Sequence, residues 1–522
     1  MLKPAYLLVF AAFASLAPGL ATAQSPAPVL GQPVGQPIAV APVDPAIAAA
    51  LKTISPDQIH ADIEKLVSFG NRSTLSSMDT DLPPGTGITA AADWLFSEFT
   101  RISEACGGCL EVKRDNFIEP ASTGAGGRVS KPTRLQNIYA ILKGTDPAQA
   151  SRRVLVTGHY DSRNNDNFNT HDPAPGANDD ASGTAVSLES ARALSKLKFP
   201  ATIVFLTVAG EEQGLLGARH LAKLAKSEGW QLEAVLNNDI VGGDTTPGQT
   251  GEDKNAVRVF SEGVPGPATL PQLSAIQTYG MESDSPSREL ARAIAEVAAT
   301  YFKPGTARPQ ARPGGAQSAM IRVVPAFHPV LEFRRDRYGR GGDHTAFNAE
   351  GFAAVRFTEW QENFDHQHQT PRNAMGTLQD GTQGMIEYGD FLKYVDTGYV
   401  ANVARLNSAC LATFASAPGE PTDVHIPGGS SDNNSIITWK APDGAPAGTT
   451  YEVLWRETSA PTWTSVVSAG SALTLKIPIS KDSFLFGVRS VDAAGHRSPA
   501  VVPLPQRGGG RGAAPAAPPP PQ

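Results

Sequence analysis

The feature that most constrains the fold is a repeated alternation of short apolar runs with amphipathic helical segments between about residues 50 and 410. The runs that have the composition of buried strands are residues 135–142, 154–158, 202–208, 234–240 and 353–357. The segments with helical spacing of apolar residues are 57–67, 90–102, 185–197, 215–226 and 287–302. Because strands that alternate with helices form parallel sheets covered by helices, we predict an α/β domain over residues 46–415.

A different pattern follows residue 417. Residues 418–503 contain short alternating runs and no convincing helix, and turn residues separate these runs at fairly even intervals. The runs are 435–439, 450–456, 472–477 and 483–491. This pattern is typical of an all-β, immunoglobulin-like sandwich, with Trp439 and Tyr451 expected between its two sheets. Such a module carries no catalytic chemistry, so we expect it to bind a surface or a partner, or to brace the preceding domain.

The amino terminus has the pattern of a signal peptide, predicted over residues 1–23. Lys3 precedes a largely apolar stretch at 6–17, and Ala21-Thr22-Ala23 has the small side chains of a cleavage site. Pro18 interrupts the apolar stretch before it reaches the ~20 residues that a membrane-spanning helix needs. We therefore expect export, to the periplasm or the extracellular space, without stable membrane insertion.

Composition adds further expectations. The net charge of −7 gives no reason to expect nucleic-acid binding, which usually needs a basic face. Residues 24–45 are rich in Pro and Ala and predict a linker, and residues 504–522 predict a disordered tail. Of the three cysteines, Cys106 and Cys109 could form a disulfide, a redox pair or half of a zinc site, and an exported protein favours the local disulfide, while Cys410 is expected to be a buried thiol. A zinc site of thiolates alone needs about four of them, so that reading is weak.

Acidic and histidine side chains gather where the predicted strands end. They are His159 and Asp161, Asp179 and Asp180, Glu211 and Glu212, Asp239, and finally Asp343 and His344 on a loop before the strand at 353–357. Each group alone has an ordinary explanation, such as a helix N-cap or a charge near a helix N-terminus. Ligands of open α/β sheets, however, bind beyond the carboxyl ends of the strands. Carboxylates gathered there repel one another unless a cation compensates them, and His, Asp and Glu without thiolates favour zinc, with manganese or cobalt as alternatives.

The motifs that contain these residues are LVTGHYDS, PGANDDASG, AGEEQGLLGA, NNDIVGG and GGDHTAF. In order and spacing they resemble the M28 family of zinc peptidases, in particular its secreted bacterial aminopeptidases, over roughly residues 50–410. The resemblance implies a three-layer α/β/α sandwich with a mixed, largely parallel central sheet. The segment 418–503 resembles fibronectin type III, through Pro421, Trp439 and the aromatic runs at 451–456 and 484–491.

The resemblance also implies roles at a site with two zinc ions. The implied metal ligands are Asp179 as the bridge, His159 and Asp239 at one ion, and Glu212 and His344 at the other. The implied catalytic residues are Glu211 as general base and Asp161 as the carboxylate that fixes the tautomer of His159. The peptide bond between the residues matching Asp179 and Asp180 tends to be cis in this family.

Two segments depart from the family pattern or leave alternatives open. Many members carry Tyr-His-Thr where this chain has residues 364–371, so His366 and His368 are candidates to line the site, and a hydrogen-bonded loop is the alternative. The basic segment 334–340 predicts a solvated loop or, alternatively, an arginine that contacts the substrate backbone or its C-terminal carboxylate.

The implied activity is that of an exopeptidase, an aminopeptidase acting on peptide or protein N-termini. The alternatives are a carboxypeptidase, a glutaminyl cyclase-like enzyme, or a catalytically inactive binding protein of the same fold. The inactive alternative predicts missing ligands or a missing base, whereas this sequence contains all of the implied residues.

Overall fold

The computed structural model describes residues 35–122, 124, 126–307, 322–378, 381–427 and 432–506. The predicted signal peptide, residues 24–34 of the predicted linker and residues 507–522 of the predicted tail lie outside this set. None of the helices in the described ranges combines the length and apolar character that a bilayer-crossing segment requires.

The described residues form nine α-helices and twenty strands. The helices are α1 Pro45–Leu51, α2 Pro56–Val67, α3 Gly87–Ala105, α4 Ser182–Leu194, α5 Leu216–Ser227, α6 Leu270–Tyr279, α7 Pro286–Tyr301, α8 His344–Ala349 and α9 Thr397–Ser416. The strands are β1 Gln36–Pro37, β2 Leu110–Glu119, β3 Thr133–Leu142, β4 Arg152–His159, β5 Thr202–Val208, β6 Gln231–Asn238, β7 Ala256–Ser261, β8 Gly305–Ala307, β9 Arg322–Val324, β10 His328–Glu332, β11 Ala354–Glu359, β12 Arg372–Thr377, β13 Gln383–Tyr388, β14 Thr422–Pro427, β15 Ser435–Lys440, β16 Thr450–Glu457, β17 Ser465–Gly470, β18 Thr474–Ile477, β19 Phe484–Val491 and β20 Leu504–Gln506.

An eight-stranded sheet lies at the centre of the α/β part, in the order β10-β7-β11-β6-β4-β5-β3-β2. The pairs β4·β5, β4·β6, β6·β11 and β7·β10 are parallel, whereas β2·β3, β3·β5 and β7·β11 are antiparallel. The sheet is therefore mixed and largely parallel. Each of the five predicted strands overlaps a strand of this sheet, which confirms the predicted fold class.

Two separate hydrophobic cores cover the two faces of this sheet. On β4, Val154 and Val156 belong to one core and Leu155 to the other, because successive side chains of a strand point to opposite faces. The larger core contains apolar residues of α1, α2, α3, α4, α7 and α9, and the smaller one those of α5 and α8. Helices thus lie on both faces of the sheet, as in a three-layer sandwich.

The sequence patterns did not predict α9, although it is one of the longest helices. Most of its side chains are buried, including Val400, Leu406 and Leu411. A helix that is surrounded by protein lacks the polar face from which amphipathic spacing is read. The spacing of apolar residues therefore does not distinguish α9 from the apolar sequence around it.

The C-terminal part consists of two four-stranded sheets, β1-β17-β16-β19 and β18-β15-β14-β20. Trp439 and Tyr451 belong to one apolar core between them, with ring centroids 5.7 Å apart, which confirms their predicted position. β20 pairs with β14 in parallel, so residues 504–506 form a strand and do not belong to the disordered tail predicted from residue 504.

Residues 35–44 were expected within a linker, and this expectation is wrong for them. Gln36 pairs with Val466 of β17, and the Arg497 guanidinium donates to the Ala39 carbonyl oxygen at 2.8 Å. A Pro-rich segment is extended, so it can add to the edge of a sheet even though it lacks the alternation of an ordinary strand. The segment leads directly into α1, where the Asp44 side chain accepts from two backbone N–H groups.

The C-terminal sheets contact α7 through polar side chains. Trp463 Nε1 donates to Glu289 Oε2 at 2.9 Å, Arg489 pairs with Glu296 at 2.6 Å, and Arg456 pairs with Asp284, which lies two residues before α7. The described contacts fit the predicted bracing role. Cys106 and Cys109 form the predicted disulfide, and Cys410 is the predicted buried thiol.

Candidate metal centre

The carboxyl ends of three adjacent strands deliver the predicted site residues to one edge of the sheet. His159 is the last residue of β4, Asp239 directly follows β6, and Glu211 and Glu212 follow β5 after a short turn. Asp179 lies in the turn at Ala177–Ala181 that leads into α4. Because β4 pairs in parallel with both β5 and β6, these side chains come together although they are far apart in sequence.

One group of candidate ligands comprises His159, Asp179 and Asp239. His159 Nε2 lies 3.1 Å from Asp179 Oδ1 and 3.9 Å from Asp239 Oδ1. All three side chains are buried, and one potential ligand atom from each lies within 4.8 Å of the others. We call these residues the strand-end group.

Asp161 lies against the opposite nitrogen of the His159 ring. His159 Nδ1 is 3.1 Å from the Asp161 carbonyl oxygen and 3.4 Å from Asp161 Oδ1. Both of these atoms are acceptors for a proton on Nδ1, and with that proton in place Nε2, which faces Asp179 and Asp239, would offer its lone pair to a cation. This geometry fits the expectation that Asp161 fixes the tautomer of His159.

The second group comprises Asp179, Glu212 and His368. His368 Nε2 lies 2.8 Å from Asp179 Oδ2 and 3.0 Å from Glu212 Oε1. Asp179 thus contributes one carboxylate oxygen to each group. Since His368 lies on the loop between β11 and β12, we call this set the loop group.

The structure corrects the assignment of His344, which was expected to complete the second site. His344 is the first residue of α8, and its Nε2 lies 2.7 Å from the Arg335 carbonyl oxygen, to which it can donate. It belongs to neither ligand group among the described residues. The ring is held by this contact with the 334–340 loop, and His368 lies where His344 was expected.

The turn that carries Asp179 is held from both sides by carboxylates. Asp390 accepts the backbone N–H groups of Asn178 and Asp179 at 2.8 and 2.7 Å. Asp180 accepts from the backbone N–H groups of His159 and Gly183 at 3.0 and 2.9 Å. The peptide bond between Asp179 and Asp180 is cis, as expected. Asp180 therefore ties the turn to β4 and α4, while Asp179 faces the ligand groups.

Glu211 is partly exposed and lines the cleft above the two groups. Burial raises the pKa of Glu211 well above its ordinary value, and the charges of Asp239 and Glu212 raise it further, against the opposing charge of His159. A carboxyl group with a raised pKa is suited to accept and then release a proton near neutral pH. The position of Glu211 in the cleft and its raised pKa fit the role of general base that was expected for this residue.

The donor atoms fit zinc. Each group offers one imidazole nitrogen and carboxylate oxygens, which is a common zinc donor set. His159 Nε2 is buried and forms no hydrogen bond of acceptable geometry with any residue that the structure describes. A buried ring nitrogen that lacks a hydrogen bond and faces carboxylates is a ligand position that a cation would satisfy.

The two groups lie in an open cleft with a volume of about 690 Å³. The predicted residues Asp179, Glu211, Glu212 and Asp239 line it. Of the basic segment 334–340, Arg337 and Arg340 line the cleft. His366, the other candidate of its loop, lies instead 3.4 Å from Asp244 and stacks on Tyr394.

Three contributors were not predicted from the sequence. Arg356 pairs with Asp239 at 2.8 Å, Arg163 pairs with Glu212 at 2.8 Å, and Gln367 Nε2 donates to Asp179 Oδ2 at 3.0 Å. Arg356 had a detectable signal, because a lone arginine inside an apolar strand needs a buried anion. Arg163 and Gln367 lie in polar loops where no such signal exists.

Comparisons with known proteins give consistent matches. The model of Peptidase family M28 matches residues 137–288. The chain is 40% identical over 484 residues to a protein of Pyricularia oryzae named "Probable zinc metalloprotease", covering 92% of this chain and 88% of that protein. It is 39% identical over 460 residues to a similarly named protein of Leptosphaeria maculans, covering 88% of this chain and 97% of the other. Among solved structures, it is similar to the LapA aminopeptidase of Legionella pneumophila, with 20% identity, a TM-score of 0.44, and coverage of 73% of this chain and 78% of that one.

Proposed function

The chain belongs to peptidase family M28, and we propose that it is a zinc-dependent peptidase in which the strand-end group and the loop group each hold one zinc ion. The observation that carries this proposal is the position of Asp179, whose two carboxylate oxygens face His159 and His368 respectively. A carboxylate whose two oxygen atoms face different ligand groups is suited to bridge two cations. The curated relatives named as zinc metalloproteases support the choice of metal.

Each zinc ion would be held by a different set of side chains, apart from the shared Asp179. His159 and Asp239 would hold one ion, Glu212 and His368 the other, and Asp179 would contribute to both. Zinc ions bound there would supply Lewis-acid activation of a water molecule and of the scissile carbonyl group. The neighbouring glutamates have different tasks, because Glu212 belongs to the loop group whereas Glu211 lines the cleft.

Glu211 is the proposed general base. Its carboxylate accepts a proton from the attacking water and delivers it to the amine that leaves when the peptide bond breaks. Asp161 keeps His159 in the tautomer that leaves Nε2 free, and Asp180 and Asp390 hold the Asp179 turn in place. Asp161, Asp180 and Asp390 therefore act on the reaction through the ligands that they position, His159 and Asp179.

We further propose that the enzyme is exported and acts as an aminopeptidase on peptide or protein N-termini. The motifs shared with secreted bacterial aminopeptidases support the substrate class, and the signal-peptide pattern at 1–23 supports export. The Cys106–Cys109 disulfide is also consistent with an oxidising compartment.

The test is hydrolysis by purified, zinc-loaded protein. We expect release of p-nitroaniline from aminoacyl anilides, loss of this activity with a chelator, and its return when zinc is added. The Glu211→Gln variant should retain two zinc ions per chain while kcat falls by about 10²–10⁴-fold. Wild-type turnover by that variant would contradict the assignment of the base.

The position of cleavage is tested separately. A tetrapeptide with a free N-terminus should lose its first residue, whereas the same peptide with an acetylated N-terminus should remain intact. Release of C-terminal residues from both peptides would instead identify a carboxypeptidase.

A further inference from the structure

The charged side chains that line the cleft are of two kinds. The carboxylates are Asp179, Glu211, Glu212 and Asp239, all of which belong to the ligand groups or serve as the proposed base. The cationic side chains are Arg128, Arg163, Arg337 and Arg340. No further carboxylate lines the cleft among the residues that the structure describes. A substrate that enters therefore meets guanidinium groups, and Glu211 is the one cleft carboxylate among the described residues that belongs to neither ligand group.

Arg128 is available to a substrate. Its side chain is exposed, and NH1 donates to the Glu212 backbone oxygen at 3.2 Å. Within the described part of the chain it has no carboxylate partner. The backbone contact places its guanidinium beside the loop group without neutralising its charge.

The Arg340 side chain is also available to a substrate, but for a different reason. Its carboxylate partner, Glu362, also pairs with Arg258 at 3.1 Å and with Arg337 at 2.7 Å. Arg337 has a second carboxylate partner in Asp336, at 3.1 Å. Arg340 shares Glu362 with two other guanidinium groups, so this carboxylate compensates the charge of Arg340 only in part. The Arg340 side chain keeps 31% of its surface exposed, more than the 9% of Arg337.

With two divalent cations bound, the charge of the cleft would be opposite to that of the protein as a whole. The complete chain has a formal net charge of −7. Two divalent cations would offset the four cleft carboxylates, which leaves the arginines as the excess charge. A cleft with charge of one sign attracts ligands of the other sign and raises their local concentration.

We propose that the cleft selects anionic peptides, whose Asp or Glu side chains or free α-carboxylate are bound by Arg128 and Arg340. This inference rests on the proposed peptidase function, which it extends by naming the substrate class. A guanidinium binds a carboxylate with two parallel hydrogen bonds, so arginine recognises this group by geometry as well as by charge. A lysine side chain near the scissile bond would be repelled.

Hydrolysis of matched peptides tests the preference. Zinc-loaded protein is given Ala-Glu-Ala-Glu and Ala-Gln-Ala-Gln, both amidated at the C-terminus, which differ in charge and hardly in shape. We expect kcat/KM to be about tenfold higher for the acidic peptide at low salt, and this ratio to fall at high salt because exposed charges are screened. The double variant Arg128→Gln/Arg340→Gln should bring the ratio close to one. The control is Arg101→Gln on α3, an exposed arginine outside the cleft, which should keep the wild-type ratio.

Binding provides a readout that does not depend on turnover. Calorimetric titration of the zinc-loaded Glu211→Gln variant with the same two peptides should show tighter binding of the acidic one, and the added Arg128→Gln/Arg340→Gln substitutions should remove the difference. Equal affinity for both peptides would overturn the inference, and so would an acidic preference that survives in the double variant. If no peptide is cleaved but the acidic one still binds more tightly, the proposed peptidase function fails while the inference about the cleft stands.

Discussion

The strand-end group and the loop group share Asp179 but are built by different parts of the fold. His159 and Asp239 lie at the ends of β4 and β6, which are paired in the sheet, so the backbone fixes their separation. His368 lies on the loop that follows β11 and has a positive φ of 56°. Its side chain is 25% exposed, compared with 1% for His159.

One site is therefore fixed by the sheet, whereas the other depends on a loop. The strand-end group is surrounded by buried partners, because Asp161 contacts His159 and Arg356 contacts Asp239. The loop group is bordered by Arg163, which contacts both Glu212 and His368. Since a preorganised ligand set binds its ion more tightly than one that must be ordered, we expect zinc in the strand-end group to be the more strongly held of the two.

We expect the greatest loss of zinc and activity from a substitution of Asp179, the residue that both ligand groups share. Asp179→Asn leaves the shape of the turn nearly unchanged but removes the negative charge that both groups share. We expect zinc content to fall below one ion per chain and kcat/KM to fall by more than about 10⁴-fold, because neither ion keeps its full ligand set. Metal analysis and anilide hydrolysis measure the two results. A variant that retains two zinc ions would show that Asp179 is not the bridge.

A smaller effect separates the groups and tests the correction of His344. His368→Ala should lower the zinc content from two ions to one and reduce kcat by about 10²–10³-fold, because the strand-end group remains intact. The matched variant His344→Ala removes a buried ring that hydrogen-bonds the Arg335 carbonyl, so it should lower stability but keep two zinc ions. Loss of one ion in His344→Ala and not in His368→Ala would restore the original assignment.

The same contrast explains how much of the site could be predicted from the sequence. His159, Asp179, Glu212 and Asp239 were found because each follows, or leads into, a regular element whose apolar pattern is unambiguous. Strand ends converge by the geometry of a parallel sheet, so these residues could be brought together without coordinates. The fold class was predictable for the same reason.

His368 could not be assigned in this way. Its loop has no periodicity, its resemblance to the family motif is incomplete, and two histidines compete within three residues. His344 was preferred because it stands in a motif, but a motif does not fix the direction in which a side chain points. Residues 35–44 show a related limit, since nothing in their composition indicates that β17, far along the chain, offers them an edge.

The smallest effect that we predict concerns Asp161, which supports His159 in the strand-end group. Asp161→Asn is nearly isosteric and leaves the Asp161 carbonyl oxygen, 3.1 Å from His159 Nδ1, in place. The tautomer of His159 is therefore preserved, but the ring loses the negative charge at 3.4 Å that makes Nε2 a stronger ligand. We expect zinc affinity of the strand-end group to fall by about 10–100-fold. Of the loop group, the Asp161 side chain contacts only the backbone N–H of Glu212, at 3.3 Å, so that group should be affected less. Stepwise titration with a chelator measures both affinities, and an equal loss at the two steps would show that the groups are more closely coupled than their separate supports suggest.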